Sequence, residues 1–122
     1  MYKRQVYNLN GYDELTTTSK NLFIEVKNGK VSKKRVLDPG EIGFKIRKDQ
    51  ELRGGSAQEN SFLMKRVFEG ETGAIRDNIV LNAAAGLLIS GKVKTVRQGI
   101  SVVENKINNG LILKKLKSLI KK

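Results

Sequence analysis

The sequence predicts an α/β fold in which a few short strands, two of them forming a β-hairpin, precede about four helices. Two β-prone runs, residues 21–27 and 31–37, flank an Asn-Gly dipeptide, which is a strong hairpin signal because both central residues of a tight turn need positive φ. After residue 55 the apolar residues recur at helical spacing. The segment 79–89 is apolar on most of its sides, which is typical of a buried helix.

The N-terminal part of the chain predicts strands joined by polar loops. Residues 6–10 have the pattern of the end of a strand, and a polar loop over residues 11–14 follows. After the hairpin, Asp38 and Pro39 predict a short helical turn, with Asp38 as its cap and Pro39 at its first helical position. A loop through residues 54–55 leads to the helices.

The first two helices are delimited by capping residues and glycines. Ser56 with Glu59 fits a capping box, and Gly70 ends the helix that it begins. The apolar side of this helix is expected to consist of Phe62, Leu63, Val67 and Phe68. The second helix is predicted over residues 73–90, with an end at Gly91.

Two further helices complete the chain. Thr95 with Gln98 predicts the cap of the third helix, and Gly110 ends it. Its apolar stripe at helical spacing consists of Val96, Ile100, Val103 and Ile107. Residues 111–122 predict a last, amphipathic helix, with Leu113, Leu116 and Ile120 expected to face inward.

The second helix is more apolar than two or three short strands can cover. We therefore expect this chain to be part of a larger sheet-and-helix domain. On its own it would expose unpaired strand edges and part of the face formed by residues 79–89, which favours association.

Composition excludes several classes of site. The 122 residues suit one domain. The absence of Cys excludes disulfides and thiol nucleophiles, and the absence of His excludes imidazole bases and His-ligated metals. A metal held by side chains must then be a hard cation on oxygen ligands, which favours Mg²⁺. No apolar run can cross a bilayer and no signal peptide is recognisable, so we predict a cytoplasmic protein with no membrane partner.

The positive charge raises the question of a nucleic-acid partner. The chain has 24 Lys and Arg against 12 Asp and Glu, a formal net charge of +12. The excess is spread over residues 27–35, 45–48 and 114–122, with no interleaved aromatic pattern and no Cys/His finger. A solvated Lys-rich surface is the preferred interpretation, and a basic nucleic-acid-binding module is kept as the alternative.

Asp13-Glu14 is a pair of carboxylates on a loop after a strand. Adjacent carboxylates can hold Mg²⁺ directly or through water, with phosphate oxygens completing its octahedron, although spacing alone favours a solvated acidic turn. Gly54-Gly55-Ser56 could bind phosphate at a helix start, but it lacks the Lys of a P-loop and is interpreted as a flexible entry to a capped helix.

Four segments taken in order are similar to the C-terminal portion of the anthranilate phosphoribosyltransferase family. They are residues 10–15 (NGYDEL), 37–44 (LDPGEIGF), 52–60 (LRGGSAQEN) and 74–85 (AIRDNIVLNAAA). The resemblance runs from about Val6 to the end of the chain, and the last two segments are its most distinctive parts.

The resemblance implies a nucleoside-phosphorylase type of phosphoribosyltransferase fold, a small helical domain plus a large α/β domain. It implies an enzyme of tryptophan biosynthesis that transfers the phosphoribosyl group of phosphoribosyl pyrophosphate (PRPP) to anthranilate with release of pyrophosphate. By match of motif, Asp13 and Glu14 would bind the Mg²⁺ that accompanies PRPP. The intact enzyme would be a homodimer, formed through its N-terminal domain.

The chain also departs from the family. Many members have His-Gly where this chain has Tyr7-Asn8. The family's Gly-rich phosphate loop and its anthranilate-binding Arg lie upstream, so no residue here is predicted to be catalytic or to contact substrate. Residues 1–5 match nothing at that point and are expected to be foreign sequence, and residues 6–122 are expected to form an incomplete α/β domain. Alone, the chain is expected neither to bind anthranilate nor to turn over.

Overall fold

The computed structural model describes the backbone of residues 2–120 and the side chains in that range except those of residues 2–7 and 27. Four strands precede four helices in this part of the chain: β1 Tyr2–Asn8, β2 Asn21–Lys27, β3 Lys30–Val31, β4 Arg35–Leu37, α1 Ala57–Phe68, α2 Ala74–Ile89, α3 Val96–Asn108 and α4 Leu111–Ile120. Two short 3₁₀ turns, Gly40–Ile42 and Asp49–Leu52, lie between β4 and α1. The predicted α/β fold is confirmed, and residues 121–122 of the predicted last helix lie outside the described residues.

The sheet is antiparallel and is organised around β2. β1 pairs with β2 along its whole length, from Tyr2 opposite Lys27 to Asn8 opposite Asn21. The other edge of β2 pairs first with β3 and then with β4. β1 therefore ends at Asn8, two residues before the end of the strand predicted over residues 6–10, and among the described strands it has β2 alone as a partner. That residues 1–5 are foreign sequence stays a prediction.

The hairpin turn forms as predicted, but the strand that follows it is interrupted. Asn28 and Gly29 have φ of 52° and 75°, the left-handed values that this turn requires. The register shifts by one residue between β3 and β4. In the gap, the Ser32 backbone N–H donates to Glu25 O (2.7 Å), and the Ser32 hydroxyl accepts the Glu25 N–H (2.9 Å). The prediction of one strand over residues 31–37 was therefore wrong, because a bulge replaces its middle.

The predicted helix caps are present. The Glu59 backbone N–H donates to Ser56 Oγ (3.3 Å), and the Ser56 N–H donates to Glu59 Oε2 (2.6 Å), so the capping box of α1 is complete. Thr95 Oγ1 accepts the Gln98 N–H (3.2 Å) at the start of α3. At the first 3₁₀ turn the prediction is shifted by one residue: the turn begins at Gly40 with Pro39 at its N-cap position, and Asp38 Oδ1 accepts the Gly40 N–H (2.9 Å) from one residue earlier.

Two of the expected inward residues are instead exposed. Phe62 on α1 is 60% exposed and Ile120 on α4 is 72% exposed. The described residues therefore leave most of both side chains uncovered.

The apolar core lies between α2 and α3. Val80 of α2 packs with Val103 and Ile107 of α3, and all three are buried. The helices are in close contact at Gly99, where an added Cβ would lie 2.8 Å from the backbone oxygen of Ala84. Opposite this contact α2 remains partly uncovered, since Ile89 is 36% exposed. No helix in the described range is long and apolar enough to cross a membrane.

Candidate functional site

A knot of buried polar side chains fixes the loop between β1 and β2. Asn8, Thr16 and Asn21 are each 0% exposed. Asn8 Nδ2 donates to Thr16 Oγ1 and to Asn21 Oδ1, both at 2.8 Å. Asn21 also accepts the Thr16 N–H (2.9 Å) and donates to Thr16 O (2.9 Å). Because buried amides are costly unless they are satisfied, this network specifies one conformation of the loop.

Asp13 and Glu14 lie in this loop between two anchored residues. Both acidic residues are exposed. Before them, the Tyr12 backbone oxygen accepts the Asn8 N–H (3.2 Å), and after them Leu15 is only 3% exposed. Two adjacent carboxylates are thus presented to solvent on a short segment that is held at both ends.

Tyr12 ties the same loop to the second 3₁₀ turn. Its hydroxyl donates to Asp49 Oδ1 at 3.3 Å. Partial desolvation, together with the Asp49 carboxylate, raises the pKa of the Tyr12 hydroxyl above its ordinary value. The hydroxyl therefore stays protonated at neutral pH and remains a hydrogen-bond donor.

Helix α2 contacts the loop through two asparagines. Asn82 Oδ1 accepts the Leu15 N–H (3.1 Å), and Asn82 Nδ2 donates to Leu15 O (2.7 Å). One turn earlier, Asn78 Nδ2 lies 3.5 Å from Glu14 Oε1. Asn78 Oδ1 is buried and makes no hydrogen bond.

Loop and helix together enclose a cleft of about 410 Å³. Its lining residues are Tyr12, Glu14, Leu52, Ile75, Asn78, Ile79 and Asn82. Of the two predicted metal ligands, which are adjacent in the chain, Glu14 lines the cleft and Asp13 does not.

A second link joins the loop to the start of α2. Arg47 donates through Nε (2.9 Å) and Nη2 (2.6 Å) to Asp77 Oδ2, and its backbone N–H donates to Thr17 O (2.9 Å). This ion pair is half-buried. It leaves the guanidinium engaged with Asp77, away from the Asp13-Glu14 pair.

The donor set at the acidic pair suits a hard cation. Within the described residues no group of three or more His, Cys, Asp or Glu could hold a metal ion. A cation at Asp13 and Glu14 would therefore need water or ligand oxygens for most of its shell. Mg²⁺ is bound in this way, through one or two carboxylates plus phosphate oxygens, so the residues present fit it.

The glycine-rich helix start does not form a free phosphate cradle. The Gly55 N–H donates to Asn60 Oδ1 (2.9 Å), and the Ser56 N–H donates to Glu59 Oε2. These backbone donors are thus used by the side chains of α1 itself, which supports the interpretation of a capped helix entry.

The two asparagines of α2 were missed by the sequence analysis. They are spaced four residues apart in an otherwise apolar stretch, so they share one side of the helix. The available signal was the presence of Asn82 among apolar residues, four positions after Asn78. Its partner could not be identified from spacing, because Leu15 is 67 residues away from Asn82.

Comparisons with known proteins agree with the motifs. The family model described as "Glycosyl transferase family, a/b domain" matches residues 3–113. An anthranilate phosphoribosyltransferase from a Thermoanaerobacter species is 41% identical over 115 residues, which are 94% of this chain and 34% of that protein. The chain spans about a third of the length of the curated relatives that it matches.

Solved structures show the same fold. The anthranilate phosphoribosyltransferase of Thermus thermophilus superposes with a TM-score of 0.82 at 28% identity, over 99% of this chain and 36% of that one. The Saccharomyces cerevisiae enzyme in complex with PRPP and Mg superposes with a TM-score of 0.82 at 22% identity, over 93% of this chain and 33% of that one. The resemblance inferred from the motifs is confirmed.

Proposed function

Since this chain belongs to the glycosyl transferase family through its a/b domain, we propose that it is part of an anthranilate phosphoribosyltransferase. The intact enzyme would transfer the phosphoribosyl group of PRPP to the amino group of anthranilate, with release of pyrophosphate, in tryptophan biosynthesis. Relatives of that name share 35–41% of the aligned residues. Because the chain spans a third of their length, this activity is proposed for the larger protein.

The proposal rests on one observation: the Asp13-Glu14 pair is exposed on a loop that is held at both ends. Asp13 and Glu14 would hold Mg²⁺ together with the diphosphate of PRPP, as the Mg in the yeast complex suggests. When bound, the ion would neutralise negative charge that develops on the pyrophosphate leaving group.

The residues of this chain would act by binding and orienting. Two exposed carboxylates attract a cation, and the buried knot of Asn8, Thr16 and Asn21 holds the loop in one conformation before substrate arrives. Preorganised groups need not rearrange during the reaction, which is a main source of catalytic stabilisation.

The proposal is tested in a chimera. Residues 6–122 replace the matching third of the Thermus thermophilus enzyme, and phosphoribosyl transfer is followed by the loss of anthranilate fluorescence. The Asp13→Asn/Glu14→Gln double variant is expected to lower kcat/KM by about 100-fold or more, because the charge of the leaving group is no longer compensated.

The matched control removes two exposed carboxylates elsewhere. The Glu41→Gln/Glu69→Gln chimera is expected to keep the activity of the unmodified chimera. Equal activity of the two double variants, or transfer that does not depend on Mg²⁺, would contradict the proposal.

Two other expectations remain predictions. The intact enzyme would be a homodimer, and it would be located in the cytoplasm. The names of the relatives do not favour the nucleic-acid-binding alternative.

A further inference from the structure

The side-chain amide of Asn82 hydrogen-bonds to both backbone groups of Leu15, as the backbone of a neighbouring β-strand would. One side-chain amide both accepts the Leu15 N–H (3.1 Å) and donates to the Leu15 carbonyl oxygen (2.7 Å). Asn82 Nδ2 also donates to the backbone oxygen of Asn78 at 3.0 Å, which fixes the orientation of the amide. A single side chain of α2 therefore holds both peptide groups of a residue in the loop.

This pair of hydrogen bonds orients the backbone at Leu15, which the burial of the Leu15 side chain does not do. The Leu15 side chain is buried and lines a small apolar cavity together with Phe23, Leu37 and Leu88, and this apolar surrounding decides where the residue lies. Apolar contacts are non-directional, so they do not orient the adjoining peptide plane. The bond to the Leu15 N–H orients the Glu14–Leu15 peptide and so the direction in which Glu14 leaves the backbone.

Asn78 contacts Glu14, the residue that precedes Leu15 in the loop. Its Nδ2 lies 3.5 Å from Glu14 Oε1, and its buried Oδ1 has no hydrogen-bond partner. Residues four apart on a helix are neighbours on one face. Asn78 and Asn82 thus contact Glu14 and Leu15 in matching order.

We propose that Asn82, assisted by Asn78, is a positioning residue that orients the Asp13-Glu14 loop for cation binding. The role rests on the proposed function, since it concerns the cation that Asp13 and Glu14 would hold. Asn82 acts through the backbone of Leu15 and does not itself contact the ion.

The test uses Mn²⁺ as a paramagnetic substitute for Mg²⁺, titrated into the 122-residue chain while the free-ion EPR signal is recorded. Asn82→Leu keeps a similar volume and removes both hydrogen bonds. It is expected to raise the Mn²⁺ Kd by about tenfold or more, the loss typical of groups that orient metal ligands. Amide exchange at Leu15 is expected to accelerate in the same variant.

A stability control separates positioning from folding. Val80→Ala removes two methyl groups from the core of α2 two positions away, and none of the residues packed in its apolar cluster belongs to the β1–β2 loop. It is expected to lower the unfolding temperature and to leave the Mn²⁺ Kd within about twofold, since metal affinity in the folded state does not follow global stability. Asn82→Gln keeps both amide atoms one methylene further out; it covers the case in which Asn82→Leu fails to fold and is expected to raise the Kd by a smaller factor.

The outcomes distinguish this inference from the function on which it rests. If the unmodified chain binds Mn²⁺ no more tightly than the Asp13→Asn/Glu14→Gln variant, the proposed metal site is wrong and this inference with it. If the unmodified chain binds and that double variant does not, but the folded Asn82 variants bind as tightly as the unmodified chain, this inference alone is overturned.

Discussion

The two sides of α2 make contacts of opposite kinds. Towards α3 the contact is apolar and close, with Val80 packed on Val103 and Ala84 against the bare backbone of Gly99. Towards the β1–β2 loop it is polar, and Asn82 holds Leu15 through two hydrogen bonds.

The two kinds of contact therefore have different roles: one mainly stabilises the fold, and the other mainly sets its local geometry. Apolar burial contributes free energy in proportion to area, whichever way the surfaces are turned. Hydrogen bonds contribute less net energy, but they require defined distances and angles. The α3 side therefore holds the helices together, and the loop side determines where the acidic pair lies.

The largest loss of stability is expected from a substitution in the buried polar knot of Asn8, Thr16 and Asn21, which holds the loop that α2 contacts. Asn21→Leu removes the acceptor of two buried donors, Asn8 Nδ2 and the Thr16 N–H, and each unsatisfied group costs about 1–3 kcal/mol. Urea unfolding measures the loss. Asn105→Leu, at an exposed position of α3, is the control and is expected to change stability by no more than about 0.5 kcal/mol. A similarly small change at Asn21 would show that the knot does not limit stability.

The apolar side is tested by a pair of glycines. Gly99→Ala places a Cβ 2.8 Å from the Ala84 oxygen, so α2 and α3 must separate, at a cost of about 1–3 kcal/mol. Gly86→Ala on α2 meets nothing within 4 Å and is expected to stabilise the chain by about 0.5–1 kcal/mol through helix propensity. Changes of the same sign in the two unfolding midpoints would contradict a close contact at Gly99.

The smallest effect is expected at the capping box of α1, which belongs to neither side of α2. Hydrogen bonds from the Ser56 N–H and then from its hydroxyl lower the pKa of Glu59. The unfolded chain therefore binds the proton more readily, so this stabilisation is present above the ordinary Glu pKa and is lost as pH falls through the lowered pKa. Glu59→Gln should remove this part of the pH dependence of Tm. If Tm of the Glu59→Gln variant changes with pH in parallel with Tm of the unmodified chain, this contribution of Glu59 is contradicted.

Features that depend on neighbours in the chain were predicted correctly. The Asn28-Gly29 turn and the capping box of Ser56 and Glu59 involve residues at most three positions apart. The break between β3 and β4 was missed because Ser32 competes for the Glu25 backbone, a partner identified only once the register is known. Phe62 was assigned to the core from its helical spacing, but burial depends on what covers that face.

The candidate site divides in the same way. Asp13 and Glu14 were proposed as metal ligands from a contiguous motif, and that role stays a prediction. The cleft that Glu14 lines, and the amide pair that orients it, follow from α2 lying against a loop more than 60 residues earlier in the chain.

The order and type of most elements, and the ends of the capped helices, follow from the sequence alone, because backbone propensity, periodicity and capping act over a few residues. The placement of the acidic pair against Asn78 and Asn82 is decided by tertiary structure. The physical reason is that a hydrogen bond needs its two groups within about 3 Å in a defined direction, and only the packed arrangement of α2, α3 and the sheet sets those positions.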